Sequence, residues 1–228
     1  MNSYPIDCQT CCFRTVFCKG LTEQEFDRIF RLTKQNTYSK GDVIFKQGEK
    51  TDNLVFLTKG LVKLVSNNYG KDLIITIERG QTLLGLANIL NEDINLFSIV
   101  AIEECKGCVI DLKKFKVLLI NNRKFMLEIM GISTRMFRES IFNFISIAHK
   151  QSNGRIADIL LFLTEKIYQN RSFSLSISRQ ELAEFAGCSK EQITHTLQTF
   201  SSEGIISISG KKVEILDIER LYKISRIG

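Results

Sequence analysis

The chain has 228 residues, room for one large domain or two small ones; it is 44% hydrophobic and 25% charged, which excludes wholesale disorder. No apolar run approaches the roughly 18 residues that span a bilayer, and Met1 to Pro5 lacks the basic and apolar parts of a signal peptide, so a cytoplasmic protein without a membrane partner is expected. The net charge of +6 is only a weak pointer to a polyanionic partner: from residue 151 onward ten Lys/Arg face nine Asp/Glu, and most of the excess lies between Asp111 and Lys150.

Residues 1–20 form a cysteine-rich leader. Four of the chain's seven cysteines, Cys8, Cys11, Cys12 and Cys18, fall within eleven residues of it. Cys105 and Cys108 make a second C-x2-C far along the chain, and Cys188 stands alone. In a cytoplasmic chain disulfides are not the default reading. Leu21 to Thr33 is predicted to be a short helix, because Thr22 and Glu25 form a capping box and Phe26, Ile29, Phe30 and Leu32 supply an apolar face. From Tyr38 to about Leu112 short β-type runs alternate with Gly41, Gly48, Gly60, Gly70, Gly80 and Gly85. Val43–Phe45, Leu54–Leu57, Leu61–Val65, Leu73–Ile77, Phe97–Ala101 and Val109–Leu112 are the predicted strands of a small antiparallel barrel or roll.

Residues 113–152 turn helical. Met130, Thr134, Phe137, Ile141, Phe144 and Ala148 recur in steps of four and three, a heptad seam. A long helix packed on its own roll satisfies this pattern. So does a dimer seam built on Met130, Phe137, Ile141, Phe144 and Ala148, with Met126, Ile129 and Met136 free to pack on the roll. Asn153-Gly154 breaks the pattern and sets the predicted domain boundary. Arg155–Ile167 reads as an amphipathic helix.

Beyond it, Ser178-x-x-Glu181 and Ser189-x-x-Gln192 are two capping boxes, opening helices to Ala186 and to about Phe200. Ala183, Gly187 and Ile193 are spaced as a helix-turn-helix requires: a small residue where helices touch, a turn Gly, and a branched residue closing the core. An ordinary αα-hairpin is the plain alternative. Ile205–Ser209 and Val213–Leu216 flank a Gly210-Lys211-Lys212 turn, read as a wing with lysines at its tip. A basic-tipped wing beside a capped helix pair suits DNA. The exposed start of the second motif helix, capped by Ser189, offers Lys190, Glu191, Thr194 and His195 to bases. Arg179, Lys190, Lys211 and Lys212 are phosphate candidates, the plain alternative being solvated surface charge.

The α+β order of β-roll, long seam helix and C-terminal winged helix-turn-helix resembles the Crp–Fnr family of bacterial transcription regulators. The resemblance covers about residues 21–228. It rests on Gly41-Asp42-Val43-Ile44-Phe45-Lys46-Gln47-Gly48-Glu49, on Phe56 to Leu64, on Gly154-Arg155-Ile156-Ala157 with Leu160-Leu161, and on Ile177 to Ala183. It implies a cyclic-nucleotide-binding-like roll (21–112), a dimerisation helix (113–152) and a DNA-binding domain (153–228). It further implies a homodimer on a near-palindromic double-stranded operator, RNA polymerase as a partner, and Glu191 as a base reader accepting from a cytosine amino group. His195 stands where the family commonly has Arg, so no target consensus is carried over.

Cyclic AMP is not expected as ligand, because Gly85-Leu86 and Asn95-Leu96 stand where cyclic-AMP-binding members have Gly-Glu and Arg-Ser or Arg-Thr. The leader resembles that of oxygen-sensing Fnr proteins, which implies a [4Fe–4S] cluster on Cys8, Cys11, Cys18 and Cys108, with Cys12 and Cys105 as alternates. Cys11 and Cys18 are separated by one residue more than in the Fnr pattern. Zinc on Cys8, Cys11, Cys105 and Cys108, reversible thiol oxidation, and unligated thiols stay open beside it. A signal at leader and roll is expected to shift the long helix around Phe137, Ile141 and Phe144, with a coupling of a few kcal/mol.

No GxGxxG, GxxxxGK[ST] or HExxH occurs, and Cys188 and His195 fall on the recognition segment rather than in a pocket, so no enzyme is expected. Cys188 is read as a small packed residue. A ligand-binding roll whose helical tail serves protein contacts is the rival reading.

Overall fold

The computed structural model describes residues 13–14, 18, 20–30, 33–68, 70–89 and 94–228, without the side chains of Ile29 and Phe30. Cys8, Cys11, Cys12 and Leu32 therefore lie outside the described residues. By its contacts the chain divides into two units: the first holds the described residues up to Leu64 together with Glu78–Arg138, the second Val65–Ile77 and Glu139–Gly228. The division does not fall at residues 113 and 153, because the seam helix is shared and a hairpin of the roll joins the second unit.

In the first unit, α1 spans Glu23–Phe30 and starts at the expected box, with Thr22 N donating to Glu25 (2.9 Å) and Glu25 N to the Thr22 hydroxyl (3.3 Å). The Thr22 N–H and hydroxyl, both donating to it, hold the Glu25 carboxyl below its usual range. The roll has strands β1 (Lys34–Tyr38), β2 (Val43–Phe45), β3 (Asn53–Lys59), β4 (Leu61–Asn68), β5 (Lys71–Arg79), β6 (Thr82–Leu84), β7 (Ser98–Ala101) and β8 (Cys105–Asp111). They form two four-stranded sheets, ordered β1-β8-β3-β6 and β2-β7-β4-β5. All six predicted strands are present, while β1 and β6 are additional. Leu112, where the expected strand ends and the helical run is expected to begin, opens helix α2 (Leu112–Asn121), because the Asp111 carboxylate accepts from Lys114 N (2.9 Å) and caps it. The core packs Phe13, Leu54, Phe56, Leu83, Ile110 and Phe115 together.

The predicted continuous helical region is interrupted at one residue. Asn122 separates α2 from α3 (Arg123–His149) and caps α3 by accepting from Phe125 N at 2.9 Å. Its amide also donates to Gly20 O (3.2 Å) and to Glu25 (3.1 Å), tying the entry of α1 to the joint.

In the second unit, α4 (Ser152–Phe162) passes into one π turn, Leu163–Ile167. Strand β9 (Ser172–Ser174), helices α5 (Arg179–Ala186) and α6 (Lys190–Ser202), strands β10 (Ile206–Ser209) and β11 (Lys212–Ile215), and helix α7 (Ile218–Ile227) follow. The wing is a three-stranded sheet, β10-β11-β9, one strand more than expected. Asn153-Gly154, predicted as a break, lies inside the first turns of α4. Gly154 is there for contact rather than for flexibility: a Cβ on it would come within 2.7 Å of the Gly228 backbone. Among the described residues no helix is long and apolar enough to cross a membrane.

Removing the Asn122 cap leaves α3 with an unsatisfied N–H and frees α1. We predict that Asn122→Ala costs about 1–2 kcal/mol and lowers the thermal midpoint by roughly 2–8 °C. An unchanged midpoint in calorimetry would remove Asn122 as the organiser of this joint.

Candidate nucleic-acid interface

Two serines set where the motif helices begin. Ser178 accepts from Glu181 N (3.1 Å) while its own N–H reaches the Glu181 carboxylate (2.7 Å). Ser189 repeats the arrangement with Gln192, at 3.2 and 2.9 Å. Between the helices Gly187 takes a left-handed φ of 58°, and Ala183 and Ile193 are buried on either side of the turn. The three spaced positions thus do what a helix-turn-helix asks of them.

The start of α6 is its open face. Ser189, Lys190, Glu191, Thr194 and His195 are all exposed, while Ile193, Thr196 and Leu197 are buried behind them. Glu191 accepts from its own backbone N–H and from the Ser189 hydroxyl, which holds its carboxyl below the usual range. It is therefore an ionised acceptor at neutral pH, the form that suits a cytosine amino group. The Ser189 hydroxyl is engaged in the cap, and the Thr194 hydroxyl donates to Lys190 O at 2.9 Å. Both are accordingly less free for DNA than their exposure implies.

The wing tip is held from two sides. Leu175 N donates to Lys211 O (2.9 Å), and Arg179 Nη2 lies 3.5 Å from Gly210 O. Arg179 is half-buried, its Nη1 has no acceptor, and burial pulls its pKa down. Expected as a phosphate contact, it also leans on the wing turn. Lys211 and Lys212 are exposed at that turn. In a second role unseen in the sequence, α4 supports the motif: Thr196 Oγ1 donates to Asn153 Oδ1 (2.7 Å) and Arg155 Nη1 to Gly187 O (3.0 Å). A buried Thr inside an exposed-looking helix was the available signal for the first contact. Cys188, in the turn, is half-buried, and burial pushes its thiol up.

In the roll, Gly85 (φ 88°) leads into a 3₁₀ turn whose Leu86 and Asn88 are buried. Asn88 Nδ2 donates to Asn95 Oδ1 (2.7 Å), and Asn95 Nδ2 to Lys46 O (3.1 Å). Asn95, which the resemblance sets against the phosphate-binding Arg of cyclic-AMP-binding members, is thus tied to Asn88 and to the Lys46 carbonyl.

Cys18 and Cys108 are buried in the same core, beside Phe13 and Phe56. Cys105 points elsewhere. It lies three residues from Cys108 on β8, whose unbroken pairing with β1 runs from Tyr38↔Cys105 to Lys34↔Val109, so the two thiols face opposite sides of the sheet. The Cys105 thiol reaches the carbonyls of Leu61 and Glu103, each at 3.3 Å. With their thiols on opposite faces, Cys105 and Cys108 lend the zinc alternative, and Cys105 as a substitute ligand, no support as a chelating pair. Among the described residues no three metal-ligating side chains converge.

A capped helix-turn-helix with a basic wing, following an eight-stranded roll, defines a two-domain transcription regulator. Residues 35–122 match the cyclic nucleotide-binding domain family and residues 154–224 the Crp-like helix-turn-helix domain. The chain is 25% identical over 204 residues to the transcriptional activator protein anr of Pseudomonas aeruginosa, covering 87% of this chain and 83% of that one. It is 27% identical over 183 residues to the cAMP-activated global transcriptional regulator CRP of Pasteurella multocida, covering 78% and 88%. The structure of FixK2 from Bradyrhizobium japonicum shares the fold at a TM-score of 0.77 and 15% identity, over 85% of this chain and 97% of that one. Its two matched domains, in this order, and these relatives make the chain similar to the Crp–Fnr transcription regulators.

We predict that Glu191→Ala weakens binding to the specific operator by about 1–3 kcal/mol and leaves random-sequence DNA nearly unaffected. Equal losses on both in gel-shift titrations would show that Glu191 reads no base. Lys211→Ala is expected to weaken both alike and to reduce the slope of log affinity against log salt by about 1. An unchanged slope would make Lys211 a solvated surface charge.

Proposed function

We propose that the protein is a homodimeric regulator of the cytoplasm that reads a near-palindromic DNA site and takes its signal through cysteines rather than through cyclic AMP. The observation that carries the signal reading is the burial of Cys18 and Cys108 in one apolar core. One thiol comes from the leader and one from the roll, which is the division of ligands that the resemblance implies. Two of the four ligands of a [4Fe–4S] group support the reading: Cys18 and Cys108 share a dry core with Phe13 and Phe56, and Cys8 and Cys11, outside the described residues, would complete the set. When bound, such a cluster would supply sensitivity to oxygen, redox state or nitric oxide. The protein residues would hold it, exclude water, and pass its loss to α3 through Phe125 and Ile129, which are buried in the same core. A leader whose thiols are oxidised reversibly is the second reading, favoured by the same proximity.

The amide pair Asn88–Asn95 supports a roll without a cyclic nucleotide, since Asn95 stands where the resemblance implies the phosphate-clamping Arg of cyclic-AMP-binding members. Dimerisation is supported by α3. Met130, Phe137, Ile141 and Phe144 are 40–67% exposed along the heptad seam, and Ala148 continues it. A stripe of this kind is costly to leave in water and is self-complementary across a two-fold axis. A dimer would present two α6 helices to successive major grooves. RNA polymerase is the proposed protein partner, supported by the activator name of the Pseudomonas relative.

Protein purified without oxygen should be brown, carry iron and sulfide, and bleach in air. Cys108→Ala should lose the colour and the oxygen dependence of DNA binding. A colourless, iron-free protein under strict anaerobiosis would remove the cluster and leave thiol oxidation. Phe137→Asp is expected to shift the sedimenting species from dimer to monomer. A dimer that persists in Phe137→Asp would displace the seam.

A further inference from the structure

We propose that the second unit contains an effector site for a small apolar carboxylate, recognised by Arg155. A cavity of about 190 Å³ opens there between the tip of β5, the last turns of α3, and helices α4 and α5. Its walls are mostly apolar, with Ile74, Ile75, Ile147, Ile159, Phe162 and Phe185 among them. Two charged side chains line it, Arg155 and Asp158.

Asp158 is fully answered from within the chain. Lys150 Nζ donates to both carboxylate oxygens (2.7 and 2.9 Å), and the hydroxyls of Ser146 and Ser225 add one bond each at 2.5 Å. Arg155 is not answered. Its Nη1 donates to the Gly187 carbonyl at 3.0 Å, and its Nε is buried with no acceptor. Among the described residues no carboxylate stands within ion-pair distance of it. A cation with a buried orphan donor beside an apolar cavity lacks one component, an anion. A carboxylate is the anion whose two oxygens match a guanidinium edge. The apolar walls require that the remainder of the ligand be hydrocarbon. The size is bounded as well, since a cavity of roughly 150 Å³ accepts benzene. One aromatic ring, or an aliphatic chain of similar bulk, fits.

The position gives the site a consequence. The same guanidinium holds the carbonyl of Gly187, the turn residue of the helix-turn-helix. An anion drawing on Arg155 therefore bears directly on the geometry between α5 and α6. Nothing in this site uses the cysteines, so it stands or falls apart from the signal proposed above.

The test is calorimetric titration of the full-length protein with sodium benzoate and, separately, benzyl alcohol. Benzoate should saturate one site per chain, and the alcohol should bind about tenfold weaker or worse, the loss expected for a charge-assisted bond. Arg155→Gln should abolish that preference. Ile75→Phe, which fills the cavity from a half-buried strand position and leaves Arg155 intact, should abolish binding of both. Absence of saturable benzoate binding at millimolar concentration would overturn the proposal. So would equal affinities of acid and alcohol for the wild-type protein, a comparison that needs no variant to fold.

Discussion

A single helix has to satisfy two apolar neighbourhoods at once, and the rest of the molecule follows from that demand. Helix α3 is 27 residues long, about 40 Å at 1.5 Å per residue. On one face Phe125 and Ile129 are buried in the first unit's core, and Met126, Ile132 and Met136 pack against it. Met130, Phe137, Ile141 and Phe144 lie on another face and remain exposed. Burying a Phe or Leu side chain is worth roughly 1.5–3 kcal/mol, so four such positions leave a large unused driving force. The helix is anchored by its first half and left adhesive along its length.

The second unit spends its polar side chains on fixing angles. Ser178, Ser189 and Asp217 each cap a helix, the last by accepting from Arg220 N at 2.9 Å. Each cap is worth about 1 kcal/mol, which is modest in energy but decisive for where a helix begins. A recognition helix is useful only if its first turns face outward, and at α6 the cap determines that Lys190, Glu191 and Thr194 occupy those turns. Asn153 and Arg155 then fasten the motif to α4 from behind. Fastening through two hydrogen bonds, one of them from a cation to a turn carbonyl, leaves the helix pair responsive to whatever else that cation meets.

What could be read from the sequence was what local chemistry alone decides. The capping boxes at Thr22, Ser178 and Ser189, the apolar runs of β3 and β4, and the turn at Gly187 all carry their own signal, and each stands where it was expected. Strand β1, Lys-Gln-Asn-Thr-Tyr, has no apolar pattern at all; it is a strand only because β8 pairs with it. Short β6 and β9 are likewise products of their partners. Asn122 resembles any helix residue until Glu25 and Gly20, about a hundred residues away in sequence, are placed beside it. Asn153-Gly154 has the local signature of a break for a related reason: nothing in the neighbouring sequence shows that the Gly228 backbone lies against Gly154. Helix α7 carries a local sign of its own, Asp217 followed by an amphipathic run.

The cysteines show how a strand decides what a motif cannot. A C-x2-C pair chelates when a turn folds both thiols to one side. In β8 the backbone is extended and side chains alternate, so a separation of three sends Cys105 and Cys108 to opposite faces. Gly107, between them, lies so close to β3 that a Cβ would come within 2.8 Å of Val55. A side chain at Gly107 would therefore push into β3. Of the two thiols, Cys108 shares the core with Cys18, whereas Cys105 is closed in by Gly60 and two carbonyls, its pKa raised by burial. A cysteine held protonated between carbonyls is a packing group. Any chemistry that joins the leader to the roll must therefore run through Cys108, on the face of the sheet from which α3 takes its anchor.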